Sequence, residues 1–288
     1  MSKATPKLIT TVAQLREEVG GARRVGKTIG LVPTMGALHE GHLSLVRAAR
    51  DECDRVVVSI YVNPSQFGPS EDFGKYPRTL DADVALLADC GVDWVFAPGN
   101  DEMYRPEHAT WVEVGAVAEP LEGQLRTGHF RGVATIVLKL FGMVRPDVAY
   151  FGQKDYQQSL VIRRMTDDLD VPVAIRVCPI VREPDGLAMS SRNRYLGPAA
   201  RQRALVLWKS LLLAGELVEQ GEQNSREIAA RMREMIEAAG DVRIDYVALV
   251  DPDTLEPVET IVGRTLAALA VRIENTRLID NRFLEPKS

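Results

Sequence analysis

Short runs of apolar, β-prone residues at 28–32, 55–62, 94–97, 148–151 and 173–177 recur through the first part of the chain, with helical stretches between them. At 43–51, 80–90, 133–144 and 157–169 the apolar residues fall every three or four positions, the spacing of a helix that buries one face. Strands that alternate with helices pair in parallel through crossovers. The pattern therefore predicts an α/β fold, a Rossmann-like doubly wound parallel sheet with helices on both faces. After "REPDGLAMSSRN" the texture changes to two long amphipathic helices, 198–220 and 225–239, and short strands at 244–250 and 267–273. These predict a second, smaller α+β domain. A Pro-Gly-containing loop near Val181 sets the boundary, giving domains 1–181 and 182–288. A length of 288 residues is ample for two cores.

Thirty-five basic residues against forty acidic ones leave a formal charge of -5, so no global positive field exists to hold nucleic acid. Cys53, Cys90 and Cys178 are odd in number and widely spaced, which fits reduced thiols rather than a disulfide framework or a zinc cluster. The opening "MSKATPKLITTVAQL" has no apolar core of signal-peptide length, and the longest apolar run, 205–218, is broken by Lys209 and Glu216. The expectation is a protein of the reducing cytoplasm with no membrane partner.

One stretch, "GARRVGKT" at 21–28, matches the P-loop pattern GxxxxGK[ST] at every position. That pattern cradles phosphate only when a strand precedes it and a helix follows. Here a helix around 12–19 comes first and a strand follows, so a Gly-rich helix stop with solvated basic residues is expected instead. "HEGH" spaces His39 and His42 at i and i+3, not the i and i+4 of a helical zinc protease. Only His108 and His129 remain as other imidazoles, so no protein metal site is expected.

The order strand, "PTMGALHEG", helix from about His42 brings a glycine-containing turn and a helix N-terminus to the carboxyl edge of a parallel sheet, where anions bind in doubly wound folds. His39 and His42 can donate to phosphate oxygens there; the alternative is that they only cap the helix. "FGQKDYQQS" follows another strand and puts Lys154 at its carboxyl end. "DGLAMSSRN" offers two hydroxyls and a guanidinium on a flexible loop. Three phosphate-compatible segments are thus expected to converge.

HxGH with a downstream Met189-Ser190-Ser191-Arg192 loop resembles the nucleotidylyltransferase and class I aminoacyl-tRNA synthetase superfamily. More narrowly, "PTMGALHEGH", "VNPSQFGP", "YPRT", "GHFRGVAT", "FGQKDYQQ" and "REPDGLAMSSRNRYL" together are similar to the pantothenate synthetase family. The resemblance implies ATP-dependent condensation of pantoate with β-alanine through a pantoyl adenylate, with release of AMP and pyrophosphate, Mg²⁺ carried on the triphosphate, and a homodimer formed through the larger domain. Residue by residue, it implies ATP contacts from Met35, Gly36, Ala37, Leu38, His39, Glu40, Gly41 and His42. Further ATP contacts follow from Gly152, Gln153, Lys154 and Asp155, and from Val181, Met189, Ser190, Ser191 and Arg192. His42, as proton donor to the leaving group, His39 and Lys154 are the catalytic candidates. Gln66 and Gln158 are the candidates for pantoate, Gln66 also lying near β-alanine. Gln153 departs from the family pattern, in which Glu is expected at that place. Arg126, His129 and Arg131 of "LRTGHFRGV" are secondary candidates for shaping the acid pocket or a subunit contact.

Neutral amides suit an acid substrate, because a strong ion pair would blunt its carboxylate as a nucleophile. Two other functions compete. A nucleotidylyltransferase that moves AMP onto a phosphorylated metabolite would want cations rather than two glutamines for its acceptor. A nucleotide-sensing module would need no acceptor pocket.

Overall fold

The computed structural model describes residues 5–286 other than 70, so the first four residues of the stretch inspected for a targeting signal lie outside it. The chain forms two compact units, Met1–Gly152 with Gln157–Pro179, and Gln153–Tyr156 with Ile180–Ser288.

In the first unit the elements run β1 (Lys7–Ile9), α1 (Val12–Arg24), β2 (Ile29–Thr34), α2 (Glu40–Glu52), β3 (Arg55–Ile60), α3 (Leu80–Asp89) and β4 (Trp94–Phe96). The one-turn helices α4 (Asn100–Met103) and α5 (Glu122–Leu125) follow, then α6 (His129–Val144), β5 (Val148–Gly152), α7 (Tyr156–Asp168) and β6 (Ala174–Cys178). The sheet order is β1-β4-β3-β2-β5-β6, and every pairing is parallel. Continuous apolar runs make this possible: Val56, Val57 and Val58 of β3 and Ile29, Leu31 and Val32 of β2 are fully buried, as strands covered on both faces must be. The order reverses between β2 and β5, the topological switch point at which doubly wound sheets bind ligands beyond their carboxyl ends.

The P-loop look-alike lies at the other edge. Helix α1 runs through Gly21 to Arg24, Gly26 turns the chain at φ +76°, and Lys27 and Thr28 lead into β2 bound to Asp54 (Lys27 Nζ 3.1 Å, Thr28 N 3.0 Å). Strand β1 was not anticipated: its three residues carry one buried side chain and pair only with β4. Cys53 is buried beside the Tyr150 hydroxyl at 3.5 Å, Cys90 and Cys178 are half-buried, and all three are free thiols.

The second unit carries α8 (Pro198–Glu219), α9 (Ser225–Glu237) and an antiparallel sheet of β7 (Val242–Val250), β8 (Thr265–Ile273) and β9 (Thr276–Leu284) in that order. Pro198 at the first turn of α8 and the Asn224 side chain, which accepts from the backbone N–H groups of Arg226 and Glu227, start the two helices. Leu207, Leu211, Ile228 and Met232 pack on Leu269, Val271 and Ile273. β9 is the second strand missed, because "TRLIDNRFL" places Asp280 and Asn281 among buried positions. Among the described residues no helix is long and apolar enough to cross a membrane.

Candidate active site

Helix α2 begins two residues earlier than expected, at Glu40, with His39 as its cap. The His39 Nδ1 atom accepts from the Gly41 N–H (3.2 Å), and the His42 Nδ1 atom accepts from the His39 N–H (3.3 Å). Both donors are backbone amides that can only donate, so each neutral ring carries its proton on Nε2. The two rings lie 4.1 Å apart between centroids. The preceding turn is held from behind by Asp83 of α3, which is buried and accepts from Ala37 N (2.9 Å) and Leu38 N (2.8 Å). Gly36 adopts φ +84°, and its N–H binds Thr34 Oγ1 (3.2 Å). The amides of Gly36, Ala37, Leu38, His39 and Gly41 are therefore satisfied inside the turn. The backbone N–H groups expected from the topology to form an anion nest are thus largely taken up by Thr34, Asp83 and the two imidazole rings.

Gln66 lies close to this turn. Its Nε2 lies 3.1 Å from Met35 Sδ and its Oε1 accepts from Asn63 Nδ2 at 3.1 Å. The backbone beneath it is fixed by α6. Asn63 Nδ2 also donates to the Gly132 carbonyl (3.2 Å), and a Cβ on Gly132 would stand 2.3 Å from Ser65 O. His129 faces Gln66 O at 2.8 Å through Nδ1 and Arg126 Nη1 at 2.9 Å through Nε2. A guanidinium cannot accept and a carbonyl cannot donate, so Nε2 accepts and Nδ1–H donates. Burial, reinforced by the Arg126 charge, pushes His129 down to about 4, and the ring is neutral at physiological pH. Arg126 in turn grips Glu71 through two bonds, at 2.7 and 2.8 Å. Two of the three secondary candidates thus hold the Gln66 loop from beneath, whereas Arg131 lies over the Trp111 ring at 4.9 Å.

On α7, Gln157 and Gln158 divide the work. Gln157 is buried, accepts from Glu122 N (3.1 Å) and donates to Val117 O (3.0 Å) and Pro120 O (2.7 Å). Gln158 is half-buried and makes no side-chain hydrogen bond among the described residues.

Gly152 ends β5, and Gln153, Lys154 and Asp155 form a 3-10 turn that groups with the second unit. The Lys154 ammonium is 3.9 Å from Asp155 Oδ2. In the same unit the loop that sequence suggested was flexible is tied across itself. Met189 N donates to Val181 O (3.0 Å), Asn193 Nδ2 donates to Glu183 Oε1 (2.7 Å) and Ala188 O (3.1 Å), and Ser190 Oγ caps the next turn through Arg192 N (3.3 Å). The predicted residues therefore fall into two sets. Met35–His42, Gln66, Gly152 and Gln158 are in the first unit; Gln153, Lys154, Asp155, Val181, Met189, Ser190, Ser191 and Arg192 are in the second.

The model of the family described as Pantoate-beta-alanine ligase matches residues 7–283. The chain belongs to that family. The pantothenate synthetase of Moorella thermoacetica is 56% identical over 279 residues, 97% of this chain and 99% of that one, and the one from Roseiflexus sp. is 57% identical over the same length. Among solved structures, pantothenate synthetase from Thermus thermophilus superposes with a TM-score of 0.93 at 48% identity, covering 97% of this chain and 100% of that one. The pantoate–β-alanine ligase of Francisella tularensis, solved with β,γ-ATP and β-alanine, gives 0.79 at 32% identity over 96% and 97% of the two chains. In this member of the family, Asp83, Asn63, Gly132, Glu71 and Asn281 are supporting residues that sequence inspection passed over. Asp83 carried a usable signal, an acid on the apolar face of α3 in line with Leu80 and Leu87.

Proposed function

We propose that this chain condenses pantoate with β-alanine at the expense of ATP, giving pantothenate, AMP and pyrophosphate in two steps. In the first, the pantoate carboxylate attacks the α-phosphorus and the bond to pyrophosphate breaks, so charge grows on the phosphoryl and leaving oxygens. The reciprocal cap carries the assignment of the phosphate site: it consumes both Nδ1 atoms, fixes both rings and puts the proton of each on Nε2. His42 delivers a proton toward the departing pyrophosphate, and His39 donates to the phosphoryl oxygens. Lys154 and Arg192 supply positive charge, and Ser190 and Ser191 bind the outer phosphate oxygens. Residues 35–42 and 152–155, with Val181 and Met189, complete the ATP set. Mg²⁺ arrives as part of MgATP and offsets the charge of the leaving group.

Gln66 and Gln158 hold pantoate through neutral amides that leave its carboxylate nucleophilic. In the second step the β-alanine amine attacks the acyl carbon of pantoyl adenylate, loses a proton, and expels AMP. The second unit is the natural cover that keeps the adenylate from water. The working assembly is a homodimer formed through the larger unit, as the family likeness implies, and its compartment is the reducing cytoplasm, in keeping with three free thiols. Transfer of AMP to a phosphorylated metabolite is not favoured, since relatives matching nearly the whole chain are pantothenate synthetases. The test is exchange of labelled pyrophosphate into ATP with pantoate present and β-alanine absent. Exchange is expected; an absolute requirement for the amine would refute the two-step scheme.

A further inference from the structure

We infer that Asn281, on β9 of the second unit, is the positioning residue for Lys154, an inference that rests on the proposed action of Lys154 on the triphosphate. Asn281 is 4% exposed, and every polar atom of its side chain is engaged on the lysine's own segment. Its Nδ2 donates to the carbonyls of Gln153 and Lys154, both at 3.0 Å, and its Oδ1 accepts from Gln153 Nε2 at 3.2 Å. The two carbonyls can only accept, which fixes the amide's orientation and requires a donor from residue 153. Gln meets that requirement. An ionised Glu in its place would set a carboxylate against the Asn281 oxygen, so Gln153 and Asn281 form a matched donor and acceptor pair.

The rest of β9 and its surroundings make the clasp rigid. Asn281 N donates to Asp280 Oδ1 (2.8 Å), and Asp280 is buried and held by Arg182 through two bonds of 2.7 and 2.9 Å. Arg182 lies over the Trp208 ring at 3.6 Å. At the far end of the segment Tyr156 donates to Pro252 O (3.1 Å) and meets the Phe283 ring edge-on at 5.4 Å. Four consecutive residues that follow a strand of the first unit's sheet are in this way built into the second unit, the one that also carries Ser190, Ser191 and Arg192. Lys154 and the MSSR loop thus belong to one compact unit.

The test compares wild type with Asn281→Asp, Gln153→Leu and, as the control for the underlying reading, Lys154→Ala. Asn281→Asp keeps the shape and replaces the NH2 group, with its two N–H donors, by one carboxylate oxygen facing both carbonyls; Gln153→Leu removes only the side-chain partner. Pyrophosphate exchange with pantoate and ATP reports the first step, and amine attack on chemically supplied pantoyl adenylate reports the second. Asn281→Asp is expected to slow exchange by about tenfold to a hundredfold, with the KM for ATP and the second step changed less than about twofold. Gln153→Leu is expected to slow exchange by a few-fold. If Lys154→Ala cripples exchange and Asn281→Asp does not, the positioning role is overturned while the reading of Lys154 stands. If Lys154→Ala exchanges normally, the reading of Lys154 fails and takes the inference with it. Should Asn281→Asp fail to fold, Gln153→Leu decides: a loss confined to exchange supports the role, and equal loss in both steps overturns it.

Discussion

Gly132→Ala probes the support beneath Gln66 without substituting any residue proposed to meet substrate. The added methyl would stand 2.3 Å from Ser65 O, 2.6 Å from Ser65 C and 2.8 Å from Gln66 Cα, all of them backbone atoms that cannot rotate away. Restoring an ordinary van der Waals approach requires α6 and the Gln66 loop to separate by about 1 Å. Overpacking of this kind costs about 1–3 kcal/mol, or a fall in Tm of roughly 2–10 °C. A displacement of that size at a substrate-positioning amide costs on the order of a hundredfold in rate. The assay is pyrophosphate exchange at saturating ATP as a function of pantoate, beside calorimetry and an ATP titration. Loss of kcat/KM for pantoate with ATP affinity retained is the expected result. A folded variant whose kcat/KM for pantoate stays within about twofold of wild type would refute the claim that the α6 contact sets the position of Gln66.

His39→Asn keeps a good N-cap acceptor but removes Nε2, so it should unfold at nearly the wild-type temperature while exchange falls by about a hundred- to a thousandfold. His39→Ala should lose the same activity and about 1 kcal/mol of stability besides, and equal stability of the two variants would contradict the capping role. For His129 the folded pKa of about 4 lies below the ordinary 6.5, so its contribution to stability is present in full above pH 6.5 and is lost as the pH falls toward 4. The loss amounts to roughly 3 kcal/mol. His129→Asn, which retains a donor for Gln66 O, should flatten that part of the denaturant-unfolding profile against pH; an unchanged slope would show that His129 does not titrate as described.

The elements at the switch point were legible because their signals are local. β2 and β3 are continuous apolar runs, α2 and α3 bury one face each, and α6 and α7 are apolar enough to be buried over most of their surface. The pairing of His39 with His42 at the end of a strand was equally visible, and the order of elements was enough to discard the P-loop look-alike. The contacts that hold the site were not legible, because each joins distant positions through one polar side chain. Asp83 reaches Ala37 from 46 residues away, and Asn281 reaches Gln153 from 128. No periodicity records such partners. Arg126 and His129 were secondary candidates for the acid pocket or a subunit contact because sequence shows their charge and not the Glu71 carboxylate and Gln66 carbonyl to which they are bound.

These buried polar groups share a physical task. Ala37, Ala116 and Leu121 hold φ of 51°, 42° and 51°, conformations that cost a side-chain-bearing residue about 1 kcal/mol or more each. Asp83 binds Ala37 N and the next amide. Gln157 binds Val117 O, Pro120 O and Glu122 N, the groups on either side of the other two strained residues. Each net hydrogen bond contributes about 0.5–1.5 kcal/mol, so two or three from one buried side chain offset the local strain and leave a small surplus. The turn that presents His39 and His42 therefore keeps its shape by a narrow margin supplied from α3. Removing such a support should distort the reacting geometry well before it unfolds the unit, because the strain it restrains is local and the cores that define the fold lie elsewhere.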